Sequence, residues 1–241
     1  MIVKAAIKRE QSQVCLSSAE REQAQREKTF LVKVCGMRKA ENIREVEALG
    51  IDLMGFIFWP KSSRYVSERP AYLPTRCKRV GVFVNEDIET IKKIADDYAL
   101  DYIQLHGSET PEQISHLSPL TSHLSIIKAF NIATTEDLEA TKPYEGIVDY
   151  YLFDTRMPPK EMGGGLPPGG TGIKFDWSVL SAYDAETPFL LSGGIGPNDA
   201  ERVKTYNHPK CIGIDLNSRF ELSPALKDII KLRKFIKEIQ L

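Results

Sequence analysis

No apolar run in the 241 residues is long enough to span a bilayer, and the N-terminus lacks the apolar core of a secretory signal. Cysteine is scarce: Cys15, Cys35, Cys77 and Cys211 stand far apart, with no CxxC pair and no Cys/His metal spacing. That leaves free thiols in a reducing, cytoplasmic setting and no basis for a metal site. An excess of one charge is missing too. Lys and Arg number 32 against 33 Asp and Glu, a net charge of -1, so the surface does not suit nucleic acid or an anionic membrane. A GxGxxG turn is absent after the first strand-like run, which ends in Val34-Cys-Gly-Met; this sets aside the doubly wound dinucleotide fold. No cofactor is expected.

What is present is alternation. Residues 1–28 read as a polar N-terminal extension, since Ser17 to Lys28 favours a helix but has no apolar stripe to bury. From residue 29 to 241 one domain is expected. β-branched apolar runs predict strands at Phe30–Cys35, Leu53–Phe58, Arg79–Val84, Tyr102–Leu105, Ser125–Ala129, Tyr151–Phe153, Phe189–Leu191 and Ile212–Ile214. Helices are predicted at Ala40–Leu49, Ala71–Arg76, Ile88–Tyr98, Pro111–Leu117, Thr135–Thr141, Trp177–Ala182, Pro197–Thr205 and Ala225–Ile239. Continuous apolar strands alternating with helices imply a parallel sheet covered by helices. Eight such units in about 210 residues close into a single (β/α)8 TIM barrel.

In a barrel of this kind chemistry sits at the C-terminal ends of the strands. There the sequence places Cys35, Arg64, Gln104, His106, Asp154, Gly193, Gly194, Asp215, Asn217 and Ser218. Each has a plainer reading. Cys35 is equally a packed strand-end residue, Asp154 a turn or helix cap, and His106 a hydrogen-bonded structural histidine or a pocket wall. Gly193-Gly194 alone marks a turn. Paired with the N–H groups and hydroxyl of Asn217-Ser218 it suits a phosphate, which this fold often binds after its seventh and eighth strands. The longest loop follows Asp154 and runs over residues 156–174; its length favours a lid over the mouth.

The segments Val32-Lys-Val-Cys-Gly-Met, Ser62-Ser-Arg-Tyr-Val-Ser, Ile103-Gln-Leu-His-Gly, Leu152-Phe-Asp-Thr, Gly170-Thr-Gly-Ile-Lys-Phe-Asp-Trp, Leu191-Ser-Gly-Gly-Ile and Gly213-Ile-Asp-Leu stand in one order. In that order they resemble the phosphoribosylanthranilate isomerase family over nearly all of Val32 to Glu221. The resemblance implies an Amadori rearrangement of N-(5-phosphoribosyl)anthranilate in tryptophan biosynthesis. It implies Cys35 as the general base, Asp154 as the general acid and Arg64 on the anthranilate carboxylate. The partner is then a small phosphosugar, and the chain a monomer or a homodimer. One departure stands out. The family's last loop usually reads roughly D-V-S-S-G-V-E, whereas here it is Asp215-Leu-Asn-Ser-Arg-Phe-Glu, with Asn217 for a serine and Arg219 for a glycine. From the residues alone, two rivals stay open: another phosphosugar barrel, and a non-catalytic barrel that binds a phosphorylated metabolite or a partner chain.

The missing apolar stripe in the extension generates a first prediction. Deleting Met1–Lys28 should leave the melting temperature and the catalytic rate nearly unchanged. A fall of many degrees in thermal unfolding would show instead that the segment packs on the barrel.

Overall fold

The computed structural model describes residues 30–121, 123–155 and 177–240. The expected extension over residues 1–28 and the expected lid over residues 156–174 lie outside the described residues. Eight parallel strands close in sequence order into a barrel: β1 (Leu31–Cys35), β2 (Leu53–Ile57), β3 (Lys78–Phe83), β4 (Tyr102–Leu105), β5 (Ser125–Ile132), β6 (Tyr150–Thr155), β7 (Phe189–Ser192) and β8 (Cys211–Leu216). The seam pairs β1 with β8, Lys33 opposite Asp215.

Strand side chains alternate between two environments, as a pleat demands. Leu53, Val80, Ile127, Ala129, Leu152 and Leu190 form a small closed cluster. Val82, Asp154 and Ser192 lie two residues further along β3, β6 and β7, so the same parity runs from a dry lumen to a polar mouth. The opposite parity, including Val34, Phe56, Phe83, Ile103, Tyr151, Phe153 and Leu216, packs into the larger core under the helices. The N-terminal rim is finished by a repeated device. Asp52, just before β2, accepts the N–H of Val32 at 2.8 Å. Asp101, before β4, accepts that of Arg79 at 2.9 Å, and Asp149, before β6, that of Ile126 at 2.7 Å.

The helical layer is less regular than the sequence suggests. α1 (Ala40–Glu47), α2 (Ile88–Tyr98) and α3 (Pro111–Leu117) form as expected. Asp87 caps α2 by accepting from the N–H of Thr90, and Thr110 with Gln113 builds a capping box on α3 ahead of Pro111. Thr135–Tyr144 and Trp177–Ala182 are 3-10 turns, the first containing Pro143. α4 is confined to Ala200–Thr205. The last helix, α5 (Ile229–Ile239), starts four residues later than predicted, with Asp228 accepting from the N–H groups of Ile230 and Lys231. The residues before it make a small antiparallel hairpin, β9 (Glu221–Ser223) with β10 (Leu226–Lys227), that turns through Ala225 at φ 64°.

No helix forms over Ala71–Arg76. Pro74 cannot donate within a helix and pushes Leu73 out of the helical region. Glu47 supplies the alternative. It sits buried in the last turn of α1, where a negative charge opposes the helix dipole. From there it accepts hydrogen bonds from the N–H groups of Thr75 and Arg76 and from the Tyr72 hydroxyl. Burial by itself pushes the Glu47 carboxyl up, but these three donors overcome it and hold it below the usual carboxylate range.

Glu47→Ala should therefore destabilise the barrel by about 2–4 kcal/mol in urea unfolding, because each buried donor left unpaired costs about 1–3 kcal/mol. With its folded pKa depressed, the stabilisation from Glu47 is complete above the unfolded value of about 4.3 and fades as pH falls through the folded one. Glu47→Gln should flatten that acid limb of the stability curve. A loss under about 0.5 kcal/mol in Glu47→Ala would show that water replaces the carboxylate.

Candidate active site

The strand-end residues singled out from the sequence meet in space. Cys35, Arg64, Gln104, His106, Asp154, Gly193, Gly194, Asp215, Asn217 and Ser218 all line one cavity of about 450 Å³ at the C-terminal mouth. A larger cavity, about 600 Å³, opens at the other end of the barrel between Leu31, Asp52, Arg79 and Asp101. Its aspartates already cap strands, as described above, so it presents no convergent chemistry. The mouth does.

Cys35 ends β1 and is buried. Its neighbour across the ladder is Gly55, and a Cβ there would sit 2.6 Å from the Cys35 Sγ. Only glycine at 55 leaves the thiol its place. Gly36 follows with φ 78°, and a Cβ on it would strike Arg64 Cδ at 2.6 Å and crowd Asn217 Oδ1 at 3.0 Å. Two residues before Cys35, on the same side of the pleat, lies Lys33, fully buried and paired with Asp215 at 2.9 Å. Burial pushes the Cys35 thiol up; the Lys33 and Lys227 ammonium groups pull it back without overcoming the burial, and Asp215 adds to the upward push. Burial lowers the Lys33 pKa, but Asp215 and Cys35 outweigh it and hold the ammonium above its ordinary value.

Across the mouth, His106 stands between two groups. Its Nε2 is 3.9 Å from Asp154 Oδ2, and its Nδ1 is 3.2 Å from Gln104 Nε2. His106 thus faces Asp154 through Nε2 and Gln104 through Nδ1. Gln104 itself is buried in the cavity wall. The His106 backbone is carried by a clamp: Lys128 Nζ donates to Gly107 O at 2.8 Å and to Glu109 Oε2 at 3.2 Å, while Glu109 accepts from the N–H of Gly107 and of Asn85.

At a third point Arg64, from the β2–β3 loop, lies in a two-pronged pair with Glu221: Nε to Oε1 at 2.9 Å and Nη2 to Oε2 at 2.6 Å. Glu221 in turn accepts from Lys227 Nζ at 2.7 Å, and the same ammonium donates to Asn217 Oδ1 at 2.8 Å. Asn217, which replaces a serine of the family pattern, thus has a definite partner. Arg219 needs no glycine-like backbone, since the non-glycine residues with positive φ are Asn85, Ala99 and Ala225 among the described residues. On the remaining side Gly193 and Gly194 follow β7 with φ of 86° and 70° and face the same cavity as Ser218. With no Cβ at either position the backbone can approach a ligand closely. Asp215 is occupied by Lys33 and by the Ser192 hydroxyl at 3.4 Å.

Sequence reasoning missed Lys33, Gly55, Glu221 and Lys227 as parts of this site. A glycine inside the apolar run Leu53-Met-Gly-Phe-Ile is a signal of close approach that could have found Gly55. Lys227 carries no such signal.

Comparison with known proteins agrees with this geometry. The family model for N-(5'-phosphoribosyl)anthranilate isomerase matches residues 32–238. The N-(5'-phosphoribosyl)anthranilate isomerase of Parabacteroides distasonis is 51% identical over 216 residues, covering 87% of this chain and 93% of its own. That of Phocaeicola vulgatus is 49% identical over 211 residues, covering 88% and 98%. A solved phosphoribosylanthranilate isomerase, in complex with reduced 1-(o-carboxyphenylamino)-1-deoxyribulose 5-phosphate, superposes with a TM-score of 0.71 at 30% identity, over 88% of this chain and 99% of that one. No helix among the described residues is long and apolar enough to cross a membrane. With an eight-stranded barrel, a family match across nearly all of it and relatives at half identity, the chain belongs to the N-(5'-phosphoribosyl)anthranilate isomerase family.

Proposed function

We propose that this chain converts N-(5-phosphoribosyl)anthranilate to 1-(2-carboxyphenylamino)-1-deoxyribulose 5-phosphate, the isomerase step of tryptophan biosynthesis, with Cys35 and Asp154 as its base and acid. The observation that carries the reading is that a thiol on β1 and a carboxyl on β6 face one cavity, between an arginine and a double-glycine turn. A sugar bearing a carboxylate at one end and a phosphate at the other fits between the last two. Arg64 receives the anthranilate carboxylate through the edge of its guanidinium not used by Glu221. Gly193, Gly194 and Ser218 receive the phosphate, with Asn217 shaping their loop.

The chemistry then runs in two proton transfers. Asp154 gives a proton to the furanose ring oxygen as the C1–O bond breaks, and the nitrogen lone pair forms the C=N bond. The Cys35 thiolate takes the C2 proton, and the electron pair passes to the nitrogen, leaving an enolamine that tautomerises to the ketone. His106 bears on Asp154 and orients it; Gln104 acts through His106, and Asp215 through Lys33. Cys35 must lose its own proton before it can take one from carbon, and the Lys33 and Lys227 ammonium groups favour that loss against the burial.

Two variants and one titration test this. Asp154→Asn should lower turnover by about 10²–10⁴-fold, the usual worth of a positioned acid, while a phosphorylated product analogue binds nearly as before. Loss of analogue affinity as severe as the loss of rate would make Asp154 a binding or structural residue. Cys35→Ala should abolish nearly all turnover with the fold intact, and near-normal turnover in that variant would remove Cys35 as the base.

The titration follows the thiol itself. Burial raises its pKa, so alkylation of Cys35 by iodoacetamide in the empty enzyme should have its midpoint above the ordinary value of a cysteine thiol. A midpoint below neutrality would contradict the environment described here.

A further inference from the structure

Lys227 is the least expected member of this site. It belongs to β10, and its ammonium is wholly buried. The backbone around it is held from α1, where the buried Asn42 accepts the Lys227 N–H at 2.7 Å and donates to its carbonyl at 3.1 Å. So placed, the ammonium has two acceptors, Glu221 and Asn217. A charged side chain is rarely kept dry without a specific demand, because its desolvation is costly.

The demand is visible in the charges that share Glu221. Arg64 offers one edge, Nε and Nη2, to that carboxylate; its Nη1–Nη2 edge makes no hydrogen bond within the described residues, and the residue lines the cavity. An arginine already paired with a carboxylate is electrically neutral as a unit and has little attraction for a second one. Lys227 changes the sum. Arg64, Glu221 and Lys227 together carry a net charge of +1; without Lys227 they carry none. The neighbouring Lys33–Asp215 pair is balanced on its own, with Cys35 beside it; Arg219, Asp154 and His106 line the same cavity and are common to every variant compared below. Beside the buried Glu221 and the partly buried Arg64, one uncompensated charge is felt more strongly than in water.

We propose that Lys227 is a positioning residue which, by neutralising Glu221 from behind, makes the Arg64 end of the cavity selective for a substrate carrying a carboxylate. The same ammonium also holds Asn217, at the start of the loop after β8. The inference rests on the reading that Arg64 receives the anthranilate carboxylate.

Calorimetric titration of two product analogues separates the possibilities: reduced 1-(o-carboxyphenylamino)-1-deoxyribulose 5-phosphate and its counterpart lacking the carboxyl group. The wild type should prefer the first by about tenfold or more, as expected for a charge-assisted pair. Lys227→Met should lose most of that preference, to about threefold or less, while the decarboxylated analogue binds within about threefold of wild type. Lys227→Arg should keep the preference. The decisive variant is Lys227→Met combined with Glu221→Gln, which restores the net charge of +1 and should restore the preference; a merely structural lysine would not be rescued in this way. Should Lys227→Met fail to fold, Lys227→Gln, which keeps a donor for Asn217, carries the same comparison. Undiminished preference in Lys227→Met, or a preference lost and not recovered in the double variant, overturns the proposal. A wild type without any preference overturns the Arg64 reading itself, and this inference with it.

Discussion

Where β1 meets β8, Lys33 and Asp215 are partners across the seam, and their side chains form an ion pair inside the lumen at 2.9 Å. Burying two charges costs several kcal/mol per ion before their attraction and hydrogen bonds offset it, and well-packed apolar residues often stabilise such a position better. The pair is better understood by what it positions. Side chains in a strand repeat every second residue, so Cys35 projects from β1 on the same side as Lys33, one step nearer the mouth. Asn217 stands the same distance beyond Asp215, just past the end of β8. The seam's register therefore sets Cys35 and the start of the loop after β8 together. A one-residue slip of β1 against β8 would turn Lys33 and Cys35 outward together and leave Asp215 without its partner.

Around that seam the cations are graded by how they are compensated. Lys33 has Asp215, and Lys227 shares Glu221 with Arg64. The buried Cys35 thiol lies under the influence of both lysines, and the balance still favours the protonated form. Desolvation and Coulomb attraction are of similar size here and opposite sign. A dry pocket that raises the thiol pKa also strengthens the thiolate as a base. It equally strengthens every charge–charge contact made by an anionic substrate. The same burial accounts for both ends of the proposed chemistry.

Much of this was legible in the sequence because it depends on period and punctuation. Continuous β-branched runs located the strands, most to within one or two residues, and the rule that barrels do chemistry at strand C-termini then picked out Cys35, Asp154 and the double glycine. What was not legible depends on partners distant in the chain. Ala71–Arg76 has helix-forming residues, but Pro74 and a carboxylate from α1 make it a loop. Leu226-Lys-Asp reads as the solvated start of a helix. It becomes β10 because Asn42, adjacent in space but 185 residues earlier in the chain, takes both backbone groups of Lys227. Such short pairings lie below any periodic signal. The capping aspartates were in plain sight in Ile51-Asp-Leu, Leu100-Asp-Tyr and Val148-Asp-Tyr, an internal echo that only the hydrogen bonds explain.

Those aspartates also show how the barrel divides labour between its two ends. At the N-terminal rim, polar side chains serve the backbone: Asp52, Asp101 and Asp149 each accept a strand N–H that the ladder leaves over, so the charge is used up locally. At the C-terminal mouth the chain does the opposite. Gly36, Gly193 and Gly194 take backbone angles that cost order, and Lys33, Lys227, Glu221 and Asp215 are buried charges that an apolar core would do without. One end is finished for stability, the other is held in a conformation and a charge state that stability alone does not require. That asymmetry follows from strand direction. In a parallel barrel every strand ends at the same face, so each unit can be altered at its mouth without disturbing the ladder that the opposite rim secures.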